Sequence, residues 1–505
     1  MKVKNRKVKN LLEKYRQISL LGKTEAVLGW DLRVNLPKKG VEGRAAQIAH
    51  LTKIITEKWL DPEFKKLVED TKLSGLKPEE KAILRNLRHA GKFYFKVPKE
   101  IIVEFSETTT RATVVWDEAR KKDKFSEFLP HLKKLIKLNQ IIAGHIGYRD
   151  NPYDALLDLY EPDLTAIECK KIFGKLQPEL TKILKKIMKS KNYSEKSYLV
   201  EGELDYPKDA QEQLCFFVLR RMGYDLEAGR MDDISPSHPF TSELGRFDVR
   251  ITNRYNVKDF REGLMVAMHE AGHGLYEQGV KEEYSATPLE GGVSLGIHES
   301  QSRFWENQVG RSFEFMKFIT PIFQAFFPGQ LSEVGAETLF SLFNQVRPSF
   351  IRTEADEVTY NLHIALRFEL EEKMVNGKIK ATDLPEIWRV KMKRYLGVTP
   401  KTDREGVLQD VHWSTAPMGY FPTYTLGNLY AAQFTREMQK ELNLEDLAER
   451  GELGTILSWL RANIHQHGGL YRSDELIKKV TGKPLNPQHF LDYINKKYSK
   501  IYNLK

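Results

Sequence analysis

Apolar residues recur with the period of a helix along most of the chain. In residues 79–87 (EEKAILRNL) and 132–138 (LKKLIKL), hydrophobic positions fall three and four residues apart, which places them on one face of a helix. Prolines stand where such helices would begin or end, at Pro98, Pro130, Pro152 and Pro178. The pattern predicts helices throughout residues 9–190, and it returns after residue 300.

One region departs from the helical period. Residues 232–240 (DDISPSHPF) are rich in turn formers, and residues 247–252 (FDVRIT) alternate and carry β-branched side chains. The alternation predicts a strand with Asp248, Arg250 and Thr252 on one face. Such a strand could hold an extended peptide through its main chain, although a short hairpin without a substrate role fits the pattern equally well. We therefore expect a mainly α protein with a small β-sheet.

No internal repeat, low-complexity tract or Gly/Ser-rich linker divides the chain. We expect a single functional unit over residues 1–505. Within it, a helical N-terminal lobe extends to about residue 225, a core occupies about 226–430, and C-terminal helices fill about 431–505. A turn-like stretch at 417–424 (PMGYFPTY) interrupts the helices of the core.

Composition narrows the class of protein. The 505 residues are 41% hydrophobic and 29% charged, with a net charge of +10. Basic and acidic residues are interleaved and no basic-aromatic module is present, which argues against a nucleic-acid partner, and the high Lys and Glu content suits a thermophile. No apolar stretch is long enough for a membrane span. Cys169 and Cys215 have no metal-site spacing and are expected to be free thiols, so we expect a cytoplasmic protein.

The clearest chemical motif lies at residues 268–274 (MHEAGHG), after an amphipathic stretch at 260–267. His269 and His273 are four residues apart, so both imidazoles project from one face of a helix and can reach one Zn²⁺. Glu270 stands beside the first histidine, where it can take a proton from water at the metal. The motif predicts a zinc metallopeptidase. The alternative is a buried helix with two hydrogen-bonded histidines.

A catalytic zinc needs a third protein ligand. The HExxHxxGxxH pattern fails, because Tyr276 and Gly279 stand where the later glycine and histidine belong. A downstream acid is the remaining option. Glu299, which opens a second predicted helix in residues 296–303 (GIHESQSR), is favoured over Glu277 and Glu290.

Six short segments between about 230 and 430 resemble the carboxypeptidase Taq family of zinc metallocarboxypeptidases. They are residues 238–240 (HPF), 248–252 (DVRIT), 269–273 (HEAGH), 298–301 (HESQ), 351–356 (IRTEAD) and 406–413 (GVLQDVHW). The N-terminal lobe adds only residues 29–31 (GWD) and its helicity. Because the six segments occur in the family's order, the resemblance is specific.

The resemblance implies a two-lobed helical fold with a deep cleft, similar to neurolysin and angiotensin-converting enzyme. It implies a thermostable homodimer that releases single C-terminal amino acids from peptides with broad specificity. By the same resemblance His269, His273 and Glu299 would bind one Zn²⁺ per chain and Glu270 would act as general base and acid. Co²⁺ is an acceptable substitute in such a site.

Further residues are candidates on chemical grounds. The oxyanion needs a donor beyond the metal, and His412 and Tyr420 are suitable, with Tyr424 a weaker third. Each could equally be a core aromatic or a hydrogen-bonded histidine. His298 either supports a metal ligand or is merely adjacent to Glu299.

A carboxypeptidase must also bind a free α-carboxylate, for which arginine offers a planar charged fork. Arg352 is the first choice, on a predicted helix at residues 351–361 where Asp356 would share its face. Asp356 would then orient Arg352 or support a zinc histidine. Arg250 is the alternative carboxylate binder, and His238 is either a substrate contact or a loop anchor.

Two other functions fit parts of the sequence. An endopeptidase or peptidyl-dipeptidase would use the same metal chemistry without an arginine that closes the site just beyond the released residue. A non-catalytic peptide-binding protein would keep the fold and lose the base, but Glu270 is present. A nucleic-acid binder has only the net charge in its favour.

Overall fold

The computed structural model describes residues 1, 3–194, 199, 204–233, 239–415 and 417–504, without the side chain of Lys38. His238 lies outside the described residues. The chain divides into two compact units, each built from separate stretches of sequence. The first unit comprises Met1–Gly91, Lys196–Phe343 and Tyr430–Leu485, and the second comprises Lys92–Glu195, Asn344–Leu429 and Asn486–Lys505. One boundary of this division, between Leu429 and Tyr430, coincides with the boundary expected near 430, whereas none falls near 225.

Helices dominate both units, as the apolar period predicted. The first unit contains the helices Arg6–Val34, Val41–Trp59, Pro62–Asp70, Lys208–Met222, Phe260–Gly279, Leu295–Arg303, Phe313–Phe326, Pro328–Leu331, Ala336–Phe343, Leu444–Glu449, Leu453–Asn463 and Ser473–Thr481. The second contains Lys99–Lys122, Phe125–Ile146, Pro152–Leu157, Ala166–Met188, Glu357–Val375, Leu384–Leu396, His412–Thr415 and Gln488–Tyr502. The residues of Pro78–Lys96 and Pro422–Met438 are divided between the units.

A three-stranded sheet lies in the first unit, formed by β1 (Gly229–Asp233), β2 (Thr241–Glu243) and β3 (Val249–Asn253). The strand order is β1-β3-β2, with β1 parallel and β2 antiparallel to β3. The strand predicted at residues 247–252 is confirmed as β3. The suggestion that its main chain holds a peptide is wrong, because both edges of the central strand already pair within the sheet.

The helix Phe260–Gly279, here the HExxH helix, begins at Asp259, whose side chain accepts a hydrogen bond from the Arg261 amide at 3.0 Å. It packs against the helix Leu295–Arg303, here the Glu299 helix. At Gly272 the two backbones approach so closely that a Cβ would lie 2.6 Å from both the Gln301 carbonyl oxygen and the Ser302 Cα. Only glycine permits this approach.

The Glu299 helix does not end in a conventional turn. It begins at Ser294, whose hydroxyl accepts from the Ile297 amide at 3.1 Å, and it passes directly into a π-helical segment, Phe304–Val309. Such wide turns re-aim the side chains that they carry and are frequent at functional sites. Here the segment carries Glu306.

The central helix of the second unit, Glu357–Val375, corrects the prediction made for residues 351–361. Arg352–Glu354 forms a 3₁₀ turn and the helix starts only at Glu357. Asp356 is its N-cap, accepting from the Val358 and Thr359 amides at 2.9 and 3.0 Å. Asp356 therefore satisfies helix-end donors and does not form the predicted i,i+4 pair with Arg352.

Two further predictions concern the cysteines and membrane-spanning helices. Cys169 and Cys215 are both buried free thiols, as predicted. Over the part of the chain that the structure describes, none of the helices combines the length and the apolar character needed to cross a bilayer.

We predict that Gly272→Ala lowers the thermal unfolding midpoint. The new methyl group would meet two backbone atoms that belong to another helix, and such overpacking costs roughly 1–3 kcal/mol. Gly22→Ala is the matched control, because a Cβ there meets nothing within 4 Å and alanine should gain about 0.5–1 kcal/mol within a helix. Midpoints that rise equally in both variants would contradict the close approach.

Candidate metal centre

The paired histidines of the HExxH helix meet the carboxylate of Glu299. His269 Nε2 lies 3.8 Å and His273 Nε2 3.4 Å from Glu299 Oε2. All three atoms lie within 4.8 Å of one another, and among the described residues they form the group of His, Cys, Asp and Glu side chains that could hold a metal ion. Two imidazole nitrogens and one carboxylate oxygen are ligands that suit a divalent cation such as Zn²⁺.

The two rival acids are used elsewhere. Glu277 Oε1 lies 2.6 Å from His298 Nε2, and Glu290 Oε1 accepts a hydrogen bond from Lys23 Nζ at 2.6 Å. Glu299 was the favoured third ligand, and it is the acid that the tertiary structure brings to His269 and His273.

A second carboxylate supports His269 from behind. Glu306 Oε2 lies 2.9 Å from His269 Nδ1, so the Nε2 atom of this ring is left to face Glu299. Arg303 joins the two acids, donating to Glu299 Oε1 at 2.7 Å and to Glu306 Oε2 at 3.2 Å. Arg311 adds a bond to Glu306 Oε1 at 3.1 Å. Glu306 was missed in the sequence, although it stands seven residues after Glu299, a spacing that keeps two side chains near one face of a helix.

His273 has a different support. Its Nδ1 lies 2.6 Å from His298 Nδ1, and the other nitrogen of His298 contacts Glu277. His298 therefore stands behind a candidate ligand, which is one of the two possibilities left open for it. Both candidate histidines thus have Nδ1 engaged and Nε2 directed to the same point, as metal-binding histidines do.

Charge compensation within this cluster shapes its acid–base behaviour. Burial by itself raises the pKa of Glu299, but Arg303 and the two histidines outweigh it and hold the pKa well below the usual range. Burial lowers the pKa of His273 to about 4. Burial also lowers the pKa of His269, but Glu299 and Glu306 outweigh it, so that its pKa is raised. The centre therefore presents an anionic carboxylate and a neutral His273 near neutral pH.

The candidate base, Glu270, is oriented by the sheet. The hydroxyl of Thr241 on β2 donates to Glu270 Oε2 at 2.6 Å, and burial raises the pKa of Glu270 above its ordinary value. Thr241 was missed, although it directly follows the HPF segment. A buried carboxylate with a raised pKa is suited to accept and return a proton.

The residues predicted to bind substrate are found in both units. Within the second unit, Arg352 Nε donates to Asp410 at 2.9 Å, and Arg367 Nε donates to the other oxygen of Asp410 at 2.6 Å. Two buried guanidinium groups thus share one carboxylate, which leaves an excess of positive charge. In the first unit Arg250 forms a two-bond pair with Asp248 at 2.7 and 2.8 Å.

The three oxyanion candidates form one cluster within the second unit. His412 Nε2 lies 3.1 Å from the Tyr424 hydroxyl. The Tyr420 ring centroid lies 5.4 Å from that of His412 and 5.3 Å from that of Tyr424. Their predicted roles remain predictions, but their proximity to one another within this unit is established.

Glu371 holds this cluster in place and was not anticipated. It accepts from the Tyr153 hydroxyl at 2.6 Å, from Trp413 Nε1 at 2.9 Å and from the Gly419 amide at 3.1 Å. Trp413 and Gly419 directly adjoin His412 and Tyr420 in the sequence. Burial raises the pKa of Glu371 to about 7 despite these bonds. No sequence pattern distinguishes Glu371 from its neighbours Glu369 and Glu372.

Comparison with known proteins agrees with this geometry. Residues 10–498 match the family described as carboxypeptidase Taq (M32) metallopeptidase. Thermostable carboxypeptidase 1 of Pyrococcus furiosus is 44% identical, over 98% of this chain and 99% of its own length. The solved structure of P. furiosus carboxypeptidase superposes with a TM-score of 0.94 at 44% identity, covering 98% of this chain and 99% of that one. The structure of the M32 carboxypeptidase of Deinococcus radiodurans also superposes with a TM-score of 0.94. It is 34% identical and covers 99% of this chain and 100% of its own chain.

We predict that Glu371→Gln changes how stability depends on pH. The unfolded chain releases this proton near pH 4.5 and the folded protein near 7. The folded state therefore binds more protons between these values, and stability falls as pH rises through them. Over this whole pH range the free energy of unfolding should fall by about 3 kcal/mol, at about 1.36 kcal/mol per pKa unit.

The measurement is the unfolding midpoint of the wild type and the variant at pH 5 and pH 8. The wild type should lose more stability than Glu371→Gln over this interval. Glu386→Gln, at a carboxylate whose side chain is 75% exposed, should behave as the wild type. Equal losses in the wild type and Glu371→Gln would show that Glu371 does not titrate here.

Proposed function

This chain belongs to the carboxypeptidase Taq (M32) family of metallopeptidases, and from that premise we propose that it removes single amino acids from the C-terminus of peptides with broad specificity. It is a metallocarboxypeptidase, a hydrolase that depends on a divalent cation. The observation that carries the proposal for this chain is the convergence of Glu299 with His269 and His273, beside the oriented carboxylate of Glu270.

The ion that we propose is one Zn²⁺ per chain, bound by His269, His273 and Glu299. Support comes from the donor set, two nitrogens and one oxygen, which is a set of three protein ligands found in catalytic zinc sites. Co²⁺ accepts the same ligands and should substitute for it. When bound, such a cation supplies Lewis acidity toward water and the scissile carbonyl.

Glu270 performs the proton transfers in the proposed mechanism. Its carboxylate takes a proton from the attacking water and later delivers a proton to the leaving amine. The Thr241 hydroxyl, 2.6 Å from Glu270 Oε2, holds that oxygen so that the other one can meet the water. The base is thereby oriented by a strand and not by the metal ligands.

The remaining roles are assigned by chemical type. His412 and Tyr420 are proposed as donors to the developing oxyanion, with Tyr424 as a weaker third. Arg352 is proposed to bind the substrate α-carboxylate, and the support is the excess charge of two guanidinium groups on Asp410. Arg250 remains the alternative, although it already pairs with Asp248.

Three further proposals concern the oligomeric state, the cellular location and the thermal stability of the protein. A homodimer is expected from the family resemblance. A cytoplasmic location is supported by the two buried free thiols, which suit a reducing compartment. Relatives from Pyrococcus furiosus and Thermus thermophilus are named thermostable carboxypeptidases, and we propose the same property for this chain.

The test of the reaction is mass spectrometry of a mixed peptide digest, with and without a chelator. Products should form a ladder that loses one C-terminal residue at a time, and chelation should abolish it. Dipeptide release or internal cleavage would instead identify a peptidyl-dipeptidase or an endopeptidase. Peptides that are bound and left intact would identify a binding protein.

We predict that Glu270→Gln retains the metal and loses turnover by about 10²–10⁴-fold, because general base catalysis contributes on that scale. Glutamine keeps the size of the side chain and the bond from Thr241 while removing the basic oxygen. Metal content after dialysis and kcat for a free-acid peptide are the two measurements. Near-normal kcat with metal bound would exclude Glu270 as the base.

A further inference from the structure

The two candidate ligand histidines are supported by different chemical groups. Behind His269 stands an anion, the Glu306 carboxylate, at 2.9 Å from Nδ1. Behind His273 stands another imidazole, that of His298, at 2.6 Å. A carboxylate can only accept a hydrogen bond when ionised, whereas an imidazole nitrogen can donate or accept. The support of His273 therefore works only if His298 itself is held in one tautomer.

Hydrogen positions along this second support follow from the geometry. A histidine that offers Nε2 to a cation carries its hydrogen on Nδ1. His273 Nδ1 must then donate, so His298 Nδ1 must accept and the hydrogen of His298 sits on Nε2. That Nε2 lies 2.6 Å from Glu277 Oε1, an acceptor. Every contact in the series is satisfied by one arrangement, Glu277 accepting from His298 and His298 accepting from His273.

The ring of His298 is also fixed sterically. Its centroid lies 5.2 Å from that of Tyr276, and it also meets Gly292, where a Cβ would come within 2.8 Å of His298 Cδ2 and 2.9 Å of Tyr276 Cε1. A side chain at position 292 would displace the ring. The ring of His298 therefore fits beside the connector only because position 292 is a glycine.

The arrangement also joins the two helices that carry the candidate ligands. His273 and Glu277 are four residues apart on the HExxH helix, so both side chains point to one face. His298 reaches between them from the Glu299 helix, one residue before Glu299 itself. A shift of either helix would break one of the two short contacts of His298.

We propose that Glu277 and His298 are positioning residues, which lock His273 in its Nδ1–H tautomer and aim its Nε2 at the position shared with Glu299. The proposal deepens the proposed function, because it rests on His273 being a ligand of the metal. Without Glu277, His298 is free to carry its hydrogen on Nδ1. Two N–H groups would then face each other at the contact with His273, and the ligand would turn away. Losses of 10–100-fold in metal affinity are typical when such supports are removed.

The experiment measures the Kd of the metal-free protein for Zn²⁺ and Co²⁺ in competition with a chromophoric chelator. Glu277→Leu and His298→Leu should each weaken binding by about 10–100-fold. Their combination should weaken it no further than His298→Leu alone, because Glu277 acts only through His298. Far-UV circular dichroism and unfolding midpoints of the metal-free variants confirm that they are folded.

Two conservative variants separate positioning from general disruption. In His298→Asn the carboxamide oxygen can lie near the former position of Nδ1 and still accept a hydrogen bond from His273. The metal affinity of this variant should therefore be much closer to the wild type than that of His298→Leu. Adding Glu277→Leu to His298→Asn should then change little. Glu290→Leu is the charge-matched control for Glu277→Leu, because Glu290 pairs with Lys23 and has no hydrogen bond to His298. Glu277→Leu should weaken metal binding and Glu290→Leu should not, whereas Glu277→Gln keeps an oxygen that can accept from His298 and should retain most of the affinity.

The outcomes distinguish this inference from the proposed function. Additive losses in the double variant, or equal losses in Glu277→Leu and Glu290→Leu, would overturn the positioning role. Glu299→Ala serves as the reference for the metal site itself. If it lowers affinity while the Glu277 and His298 variants do not, the metal site stands and the positioning role fails. If Glu299→Ala has no effect, the ligand assignment fails first.

Discussion

The close approach of two helix backbones at Gly272 is the constraint on which the candidate centre depends. A Cβ at that position would lie 2.6 Å from main-chain atoms of Gln301 and Ser302. Because helices usually pack 8–10 Å apart, depending on the side chains between them, a glycine at the contact allows the shortest spacing. That spacing lets Glu299 on one helix lie 3.4 Å from His273 on the other. The distances between the candidate ligands are therefore set by the packing of the two helices that carry them.

Burying so many ionisable groups is tolerable because each one has a specified partner. Glu299 and Glu306 share Arg303, and Arg311 adds a second cation to Glu306. A buried charge without a partner would cost several kcal/mol. The same surroundings suit a cation, since Nδ1 of both histidines is engaged and Nε2 of each faces Glu299. Fixed ligands lose little conformational entropy on binding.

Sequence reasoning succeeded where chemistry is local and failed where it depends on contacts between distant segments. The i,i+4 spacing of His269 and His273 required only helical geometry, and the helix period was strong enough to predict the mainly α fold. Asp356 was misassigned, because the pattern did not show that residues 351–356 turn before the helix begins. The role suggested for β3 failed because strand order is not visible in one strand's alternation.

The sequence by itself determined the paired histidines and the adjacent Glu270, since spacing along one helix is a short-range property, and it favoured Glu299 because a metal site needs a third donor. Only the tertiary structure decided which groups stand behind those ligands. Glu306 contacts His269 from the π-helical segment, Thr241 contacts Glu270 from a strand, and His298 joins His273 to Glu277. These partners are separated by 21 to 37 positions, and packing, not periodicity, brings such positions into contact.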